Sequence, residues 1–139
     1  MLSTKLKPTS NNPKVKSCRI LIAENDRATV QVMTYKLKKM GITPDVSFDG
    51  EDALNKLRSD HYRLVILDIR IPKLDGYQLI REIKKDPNLQ RVKICVITNL
   101  GREETFENIS KLGVDEFFIK ANVSFGDFVS KITELCGVD

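Results

Sequence analysis

The sequence predicts an α/β fold, a doubly wound sandwich of five parallel strands with five helices on its two faces. Three observations lead there. Short apolar runs alternate with segments of helical periodicity along nearly the whole chain. The first, third and fourth runs are almost continuous Ile, Leu and Val, as suits strands covered on both faces. Strand–helix units of this length make crossovers, so the strands are expected to run parallel.

The five runs, in order, are Cys18–Ala23, Thr43–Ser47, Leu64–Leu67, Lys93–Ile97 and Glu116–Ile119. Between the first two, Val30, Met33, Leu37 and Met40 recur at three- and four-residue steps, the spacing of one helix face. Leu79, Ile80 and Ile83 repeat it, then Phe106, Ile109 and Leu112, and finally Phe125, Phe128, Val129, Ile132 and Leu135. Gly41 and Gly113 stand where helices are expected to stop, in a left-handed conformation. Asp49 and Ser124 stand where helices are expected to start, and Ser124 with Asp127 makes an approximate capping box.

A chain of 139 residues suits one domain with a buried core. Its composition, 41% hydrophobic and 30% charged, is that of an ordinary globular protein. The formal net charge of +4 is unevenly placed. Lys5, Lys7, Lys14 and Lys16 lie in residues 1–17 with no acid, and the rest of the chain balances its 19 acidic residues. Residues 1–17, rich in Ser, Thr, Asn, Pro and Lys, are expected to form a disordered basic tail ahead of a domain at 18–139. A balanced domain argues against a nucleic-acid module, which carries its charge on the folded face. Neither a signal-peptide core nor an apolar stretch long enough for a membrane span is present. Cys18, Cys95 and Cys136 have no metal-type spacing and read as reduced thiols packed as small hydrophobes in a cytoplasmic protein. His61, the only histidine, reads as a loop or capping residue and leaves no multi-histidine metal site.

In an open parallel sheet, ligands bind beyond the carboxyl ends of the strands. The polar residues just past the runs are therefore expected to converge: Glu24, Asn25 and Asp26 after the first, Asp68 after the third, Thr98 after the fourth and Lys120 after the fifth. Taken singly, each has an ordinary explanation; Asp26, for instance, is a favoured helix N-cap. Together they describe a chemistry. Clustered acids make an oxygen-lined cavity of the kind Mg²⁺ prefers. Asp68 is the expected nucleophile, since a carboxylate can form an acyl phosphate. The Thr98 hydroxyl and the Lys120 ammonium are placed to hold phosphoryl oxygens. Phosphoryl transfer is mainly positioning and charge stabilisation, so little acid–base machinery is needed.

From about Cys18 to Leu135 the chain resembles a response-regulator receiver domain of two-component signalling, of the single-domain type that regulates chemotaxis. The resemblance lies in ILIAEND after the first strand, LVILDIRIPKLDG around Asp68, Thr98 in CVITN, Lys120 in FFIK, and Pro72 with the Asp75-Gly76 turn. It implies a flavodoxin-like sheet in the order 2-1-3-4-5, with Asp68 as the phosphorylation site. It implies Mg²⁺ held by Asp68, Asn25 and the Arg70 carbonyl, with Glu24 acting through water. It implies Thr98 and Phe117 as switch residues, and a histidine kinase or phosphotransfer protein as the phosphoryl source. Catalysis extends at most to the protein's own phosphorylation and dephosphorylation.

Departures from the family pattern qualify that picture. Asn25 stands where Asp is usual, keeping an oxygen ligand but losing a charge. Asn99 replaces a small residue, while Arg70 and Leu100 occupy positions that tune dephosphorylation. Ala121 replaces a proline that follows a cis bond, so Lys120–Ala121 is either trans in a reshaped loop or a costly non-proline cis bond. Phe117 stands where an aromatic, usually tyrosine, acts as a switch; packing as a core aromatic is the other reading.

The leading expectation is a cytoplasmic phosphorylation switch. With no output domain expected after residue 139, the signal is expected to leave by contact with a downstream protein or by homodimerisation on phosphorylation. The alternative is a pseudo-receiver, a phosphorylation-independent interaction module, which Asn25, Asn99 and Ala121 favour and Asp68, Thr98 and Lys120 oppose. A flavodoxin-like cofactor protein lacks its phosphate loop after the first strand.

Overall fold

A computed structural model describes residues 17–99 and 103–137. Residues 1–16 of the expected basic tail, and Leu100, lie outside the described residues. Five strands form one parallel sheet: β1 (Ile20–Ala23), β2 (Asp45–Ser47), β3 (Leu64–Leu67), β4 (Lys93–Thr98) and β5 (Glu116–Ile119). Their spatial order is β2-β1-β3-β4-β5. Five helices connect and close it: α1 (Arg27–Lys39), α2 (Gly50–Ser59), α3 (Gly76–Lys85), α4 (Glu103–Ser110) and α5 (Phe125–Gly137). A 3-10 turn at Pro87–Leu89 follows α3.

Alternation along each strand sends neighbouring side chains to opposite faces. Ile20, Ile22, Leu64, Ile66, Cys95 and Ile97 meet α1 and α5 through Met33, Leu37, Phe128 and Ile132. Leu21, Ala23, Val65, Leu67, Ile94 and Val96 meet the other three helices through Leu57, Ile80, Ile83 and Ile109. β1 and β3 are buried along their whole length. That is the physical basis of their unbroken apolar sequence: each residue has a helix above or below it.

Side chains cap the helices. Asp26 accepts from the Thr29 N–H at 3.3 Å and Asp49 from the Asp52 N–H at 2.7 Å. Asp75 and Gln78 form a reciprocal capping box on α3, at 2.9 and 3.0 Å. Ser124 Oγ accepts from the Asp127 N–H at 3.1 Å, giving the expected α5 cap. Gly41 (φ 86°) and Gly113 (φ 74°) are both left-handed. At Gly41 the bonds Ile42 N–H to Leu37 O and Gly41 N–H to Lys38 O complete a Schellman stop.

The cysteines correct the sequence reading. Cys18 and Cys136 form a disulfide across 118 residues, with Cα atoms 5.6 Å apart. A crossover helix runs back against its strand, so the end of α5 returns to the edge where β1 begins. Local spacing carries no trace of that meeting. Cys95 alone is free, buried in β4, where burial pushes its thiol pKa up. The paired cysteines therefore give no ground for a reducing compartment. Among the described residues no helix is long and apolar enough to cross a membrane.

Candidate functional site

The sheet ladder continues one residue beyond several strand ends, and those residues form the site. Glu24 N–H bonds Ser47 O at 3.0 Å, Asp68 N–H bonds Ala23 O at 3.0 Å, and Lys120 N–H bonds Thr98 O at 2.9 Å. Backbone hydrogen bonds thus set Glu24, Asp68, Thr98 and Lys120 along one edge. Glu24, Asp68 and Thr98 are buried.

Lys120 joins the two carboxylates. Its Nζ lies 2.8 Å from Asp68 Oδ2 and 2.8 Å from Glu24 Oε1. Only the contact to Asp68 is a directed hydrogen bond. Glu24 Oε1 is buried and otherwise lacks a hydrogen-bond partner. Glu24 Oε2 accepts the Asp26 N–H at 2.9 Å, and Asp68 Oδ1 accepts the Arg70 N–H at 3.3 Å.

Burial raises the Glu24 pKa, outweighing the stabilisation of its charge by Lys120 and by the Asp26 N–H. Burial also works against the Lys120 charge, but Asp68 and Glu24 together prevail and raise its pKa. The ammonium is therefore held charged between two acids. No histidine lies among these groups. The arrangement suits a carboxylate nucleophile whose charge is managed by a fixed cation, rather than proton-transfer catalysis.

The β3–α3 loop beside Asp68 is braced from both sides. Gly76 N–H bonds Ile69 O at 2.8 Å, and Gly50 N–H bonds Pro72 O at 3.1 Å. A Cβ on Gly76 would stand 2.5 Å from Ile69 Cα and 2.7 Å from Asp68 O, so glycine alone lets α3 begin there. Lys73 in this loop is left-handed (φ 71°) without being glycine. Such strain costs about 1–2 kcal/mol.

Other expected site residues sit at the periphery. Asn25, Arg70 and Asn99 are exposed. Asp26 is committed to capping α1, where its carboxylate also takes the Thr29 hydroxyl at 2.5 Å. It therefore does not replace the charge absent at Asn25. Among the described residues no group of three or more His, Cys, Asp or Glu side chains is placed to hold a metal ion. Every described peptide bond is trans, including Lys120–Ala121. Phe117 is half-buried, with its ring 5.7 Å from that of Phe106 and tilted by 43°. The charge convergence was readable from strand ends. The braces at Gly50 and Gly76 were not, since neither residue carries a reactive group.

Comparison with known proteins gives a consistent result. A family model described as response regulator receiver domain matches residues 20–133. The gliding motility regulatory protein of Myxococcus xanthus is 26% identical over 117 residues, covering 84% of this chain and 15% of that protein. The alkaline phosphatase synthesis transcriptional regulatory protein PhoP of Bacillus subtilis is 26% identical over 104 residues, covering 73% and 42%. The chain thus spans less than half the length of these relatives. Among solved structures, the receiver domain of sensor histidine kinase PA1611 from Pseudomonas aeruginosa superposes with a TM-score of 0.79 at 25% identity. The match covers 86% of this chain and 98% of that one, which has a magnesium ion coordinated in its active-site cleft.

Proposed function

The chain belongs to the response regulator receiver domain family, and from that premise we propose that it is a phosphorylation switch with Asp68 as phosphoacceptor. The observation that carries the reading is the buried Asp68 carboxylate at a strand end, with the Lys120 ammonium 2.8 Å from Oδ2. The phosphoryl source is a histidine kinase or a phosphotransfer protein. An Asp68 oxygen forms a bond to phosphorus, an acyl phosphate results, and the bond to the donor breaks. Lys120, whose pKa is raised, stays protonated and offsets the charge gained at Asp68. Thr98, buried at the end of β4, donates its hydroxyl to a phosphoryl oxygen.

Mg²⁺ fits the donors at hand. Asp68 would supply a carboxylate oxygen, Asn25 an amide oxygen and Arg70 its carbonyl, with Glu24 acting through water. Glu24 Oε1 is buried with no partner beyond its ion pair with Lys120 at 2.8 Å, which leaves it a lone pair for a metal-bound water. When bound, the ion supplies positive charge that screens phosphoryl oxygens from Asp68. The signal passes to α4, β5 and α5 through Thr98 and Phe117, and leaves by contact with a downstream protein or by homodimerisation.

A second reading, a phosphorylation-independent interaction module, is favoured by one observation. Among the described residues two carboxylates, Glu24 and Asp68, gather at the site, and both already pair with Lys120. Incubation with Mg²⁺ and acetyl phosphate, followed by intact mass, separates the two. The switch gains one phosphoryl mass, and Asp68→Asn gains none. No added mass, or equal addition to both proteins, leaves the interaction module standing.

A further inference from the structure

At the edge of the sheet opposite Asp68 lies an open cleft of about 690 Å³, lined by Arg19, Arg63, Lys84, Arg91, Lys93 and Asp115 among others. Arg19, Arg63 and Asp115 immediately precede β1, β3 and β5, and Lys93 opens β4. Lys84 comes from the last turn of α3, and Arg91 follows the 3-10 turn. The site of phosphorylation uses none of them.

The charge there is concentrated. Arg19 is occupied by Asp45 at 2.9 Å and Asp60 at 3.1 Å, and its guanidinium lies 4.8 Å over the Tyr62 ring. Asp115, the only acid among the described residues lining the cleft, is engaged by the Ile94 N–H at 2.8 Å. Among the described residues Lys84, Arg91 and Lys93 have no carboxylate partner. A helix C-terminus beside such a cleft would ordinarily repel anions. Here the Gln90 amide covers the carbonyls of Ile83, Lys84 and Asp86, at 3.3, 2.9 and 2.7 Å. The negative end of α3 is masked while its lysine remains.

We infer that this cleft binds an anion with two or more linked phosphates, of roughly nucleotide size. Its volume falls within the roughly 300–1,000 Å³ of small-ligand sites. The Arg91 guanidinium and the Lys84 and Lys93 ammonium groups, lining one space, suit phosphate oxygens, which accept several charge-assisted hydrogen bonds at once. An acidic peptide spreads single charges along an extended chain and uses such a cluster less fully. Of the two rings in the lining, Tyr62 is only 8% exposed and offers no open face for a base to stack on, and the exposed His61 is a single small ring beside three cationic side chains. Recognition therefore rests on the phosphates.

The test titrates inorganic tripolyphosphate, without Mg²⁺ and at ~150 mM salt, while following backbone amide shifts. Saturable shifts are expected around residues 61–63 and 84–93, and none at Glu24, Asp68 or Lys120. Lys84→Gln with Arg91→Gln should weaken binding at least about tenfold. Lys38→Gln with Lys39→Gln removes the same charge from α1 and should leave binding unchanged, and the charge-keeping pair Lys84→Arg with Arg91→Lys should retain it. Adenosine triphosphate distinguishes the source: tighter binding than tripolyphosphate identifies a nucleotide, and equal binding a bare polyphosphate chain. Absence of saturable shifts, equal loss in both Gln pairs, or preference for a poly-glutamate peptide would overturn the assignment.

Discussion

Opening the Cys18–Cys136 bridge should cost the domain much of its stability. The bridge closes a loop spanning 118 residues. Chain-entropy bookkeeping for a loop of that length gives about 5 kcal/mol of stabilisation at room temperature, acting by restricting the unfolded chain. For a domain of this size each kcal/mol moves the melting temperature by roughly 3–4 °C, so Tm should fall by roughly 15–20 °C. The perturbation is Cys18→Ala with Cys136→Ala, and the assay is urea unfolding beside a thermal melt. A second readout separates loop closure from lost packing: the freed unfolded chain exposes more surface, so the urea m-value should rise. A loss below about 1 kcal/mol with an unchanged m-value would refute the reasoning. It would mean that the bridge does not constrain the unfolded state.

Two further outcomes follow from the charged groups. Burial and the hydrogen bond to Asp45 push the Tyr62 pKa up from 10.0 to about 12. The folded state thus holds this proton after the unfolded state has lost it, and stability falls as pH rises from 10 to 12. Ultraviolet titration should show one of the three tyrosines ionising late, and Tyr62→Phe should remove that phase; its persistence would contradict the assignment. Asn25→Asp adds a third carboxylate beside Glu24 and Asp68 and should tighten Mg²⁺ binding about tenfold or more, measured by metal titration; equal affinities would show that residue 25 does not reach the ion.

Most of the fold was legible because its cause is local. β1, β3 and β4 lie between helices, so every residue from Leu64 to Leu67 must be apolar, and the run announces itself. The site was legible for a related reason. Parallel strands share one carboxyl edge, so Glu24, Asp68, Thr98 and Lys120 could be placed together from strand ends alone. The disulfide was not, because Cys18 heads an apolar run and Cys136 sits on the apolar face of α5, where each passes for a small hydrophobe. The basic cleft was hidden likewise. Lys84, Arg91 and Lys93 are scattered among charges that balance overall, and only the shared amino edge of the strands unites them. Asp26 was ambiguous in sequence between metal site and cap, and hydrogen bonds to Thr29 decided for the cap.

Gly76 changes what counts as part of the site around Asp68. It has no side chain, carries no charge and touches no ligand, yet the backbone of Asp68 and Ile69 fills the space where its first side-chain carbon would go. A survey of every single substitution, scored for function, would show this position as intolerant as Asp68 itself. Gly50, crowded in the same way by the Leu74 carbonyl, would join it. Heritable variation near the carboxylate is thus constrained from the first residues of two helices, by glycines whose contribution is the room they leave.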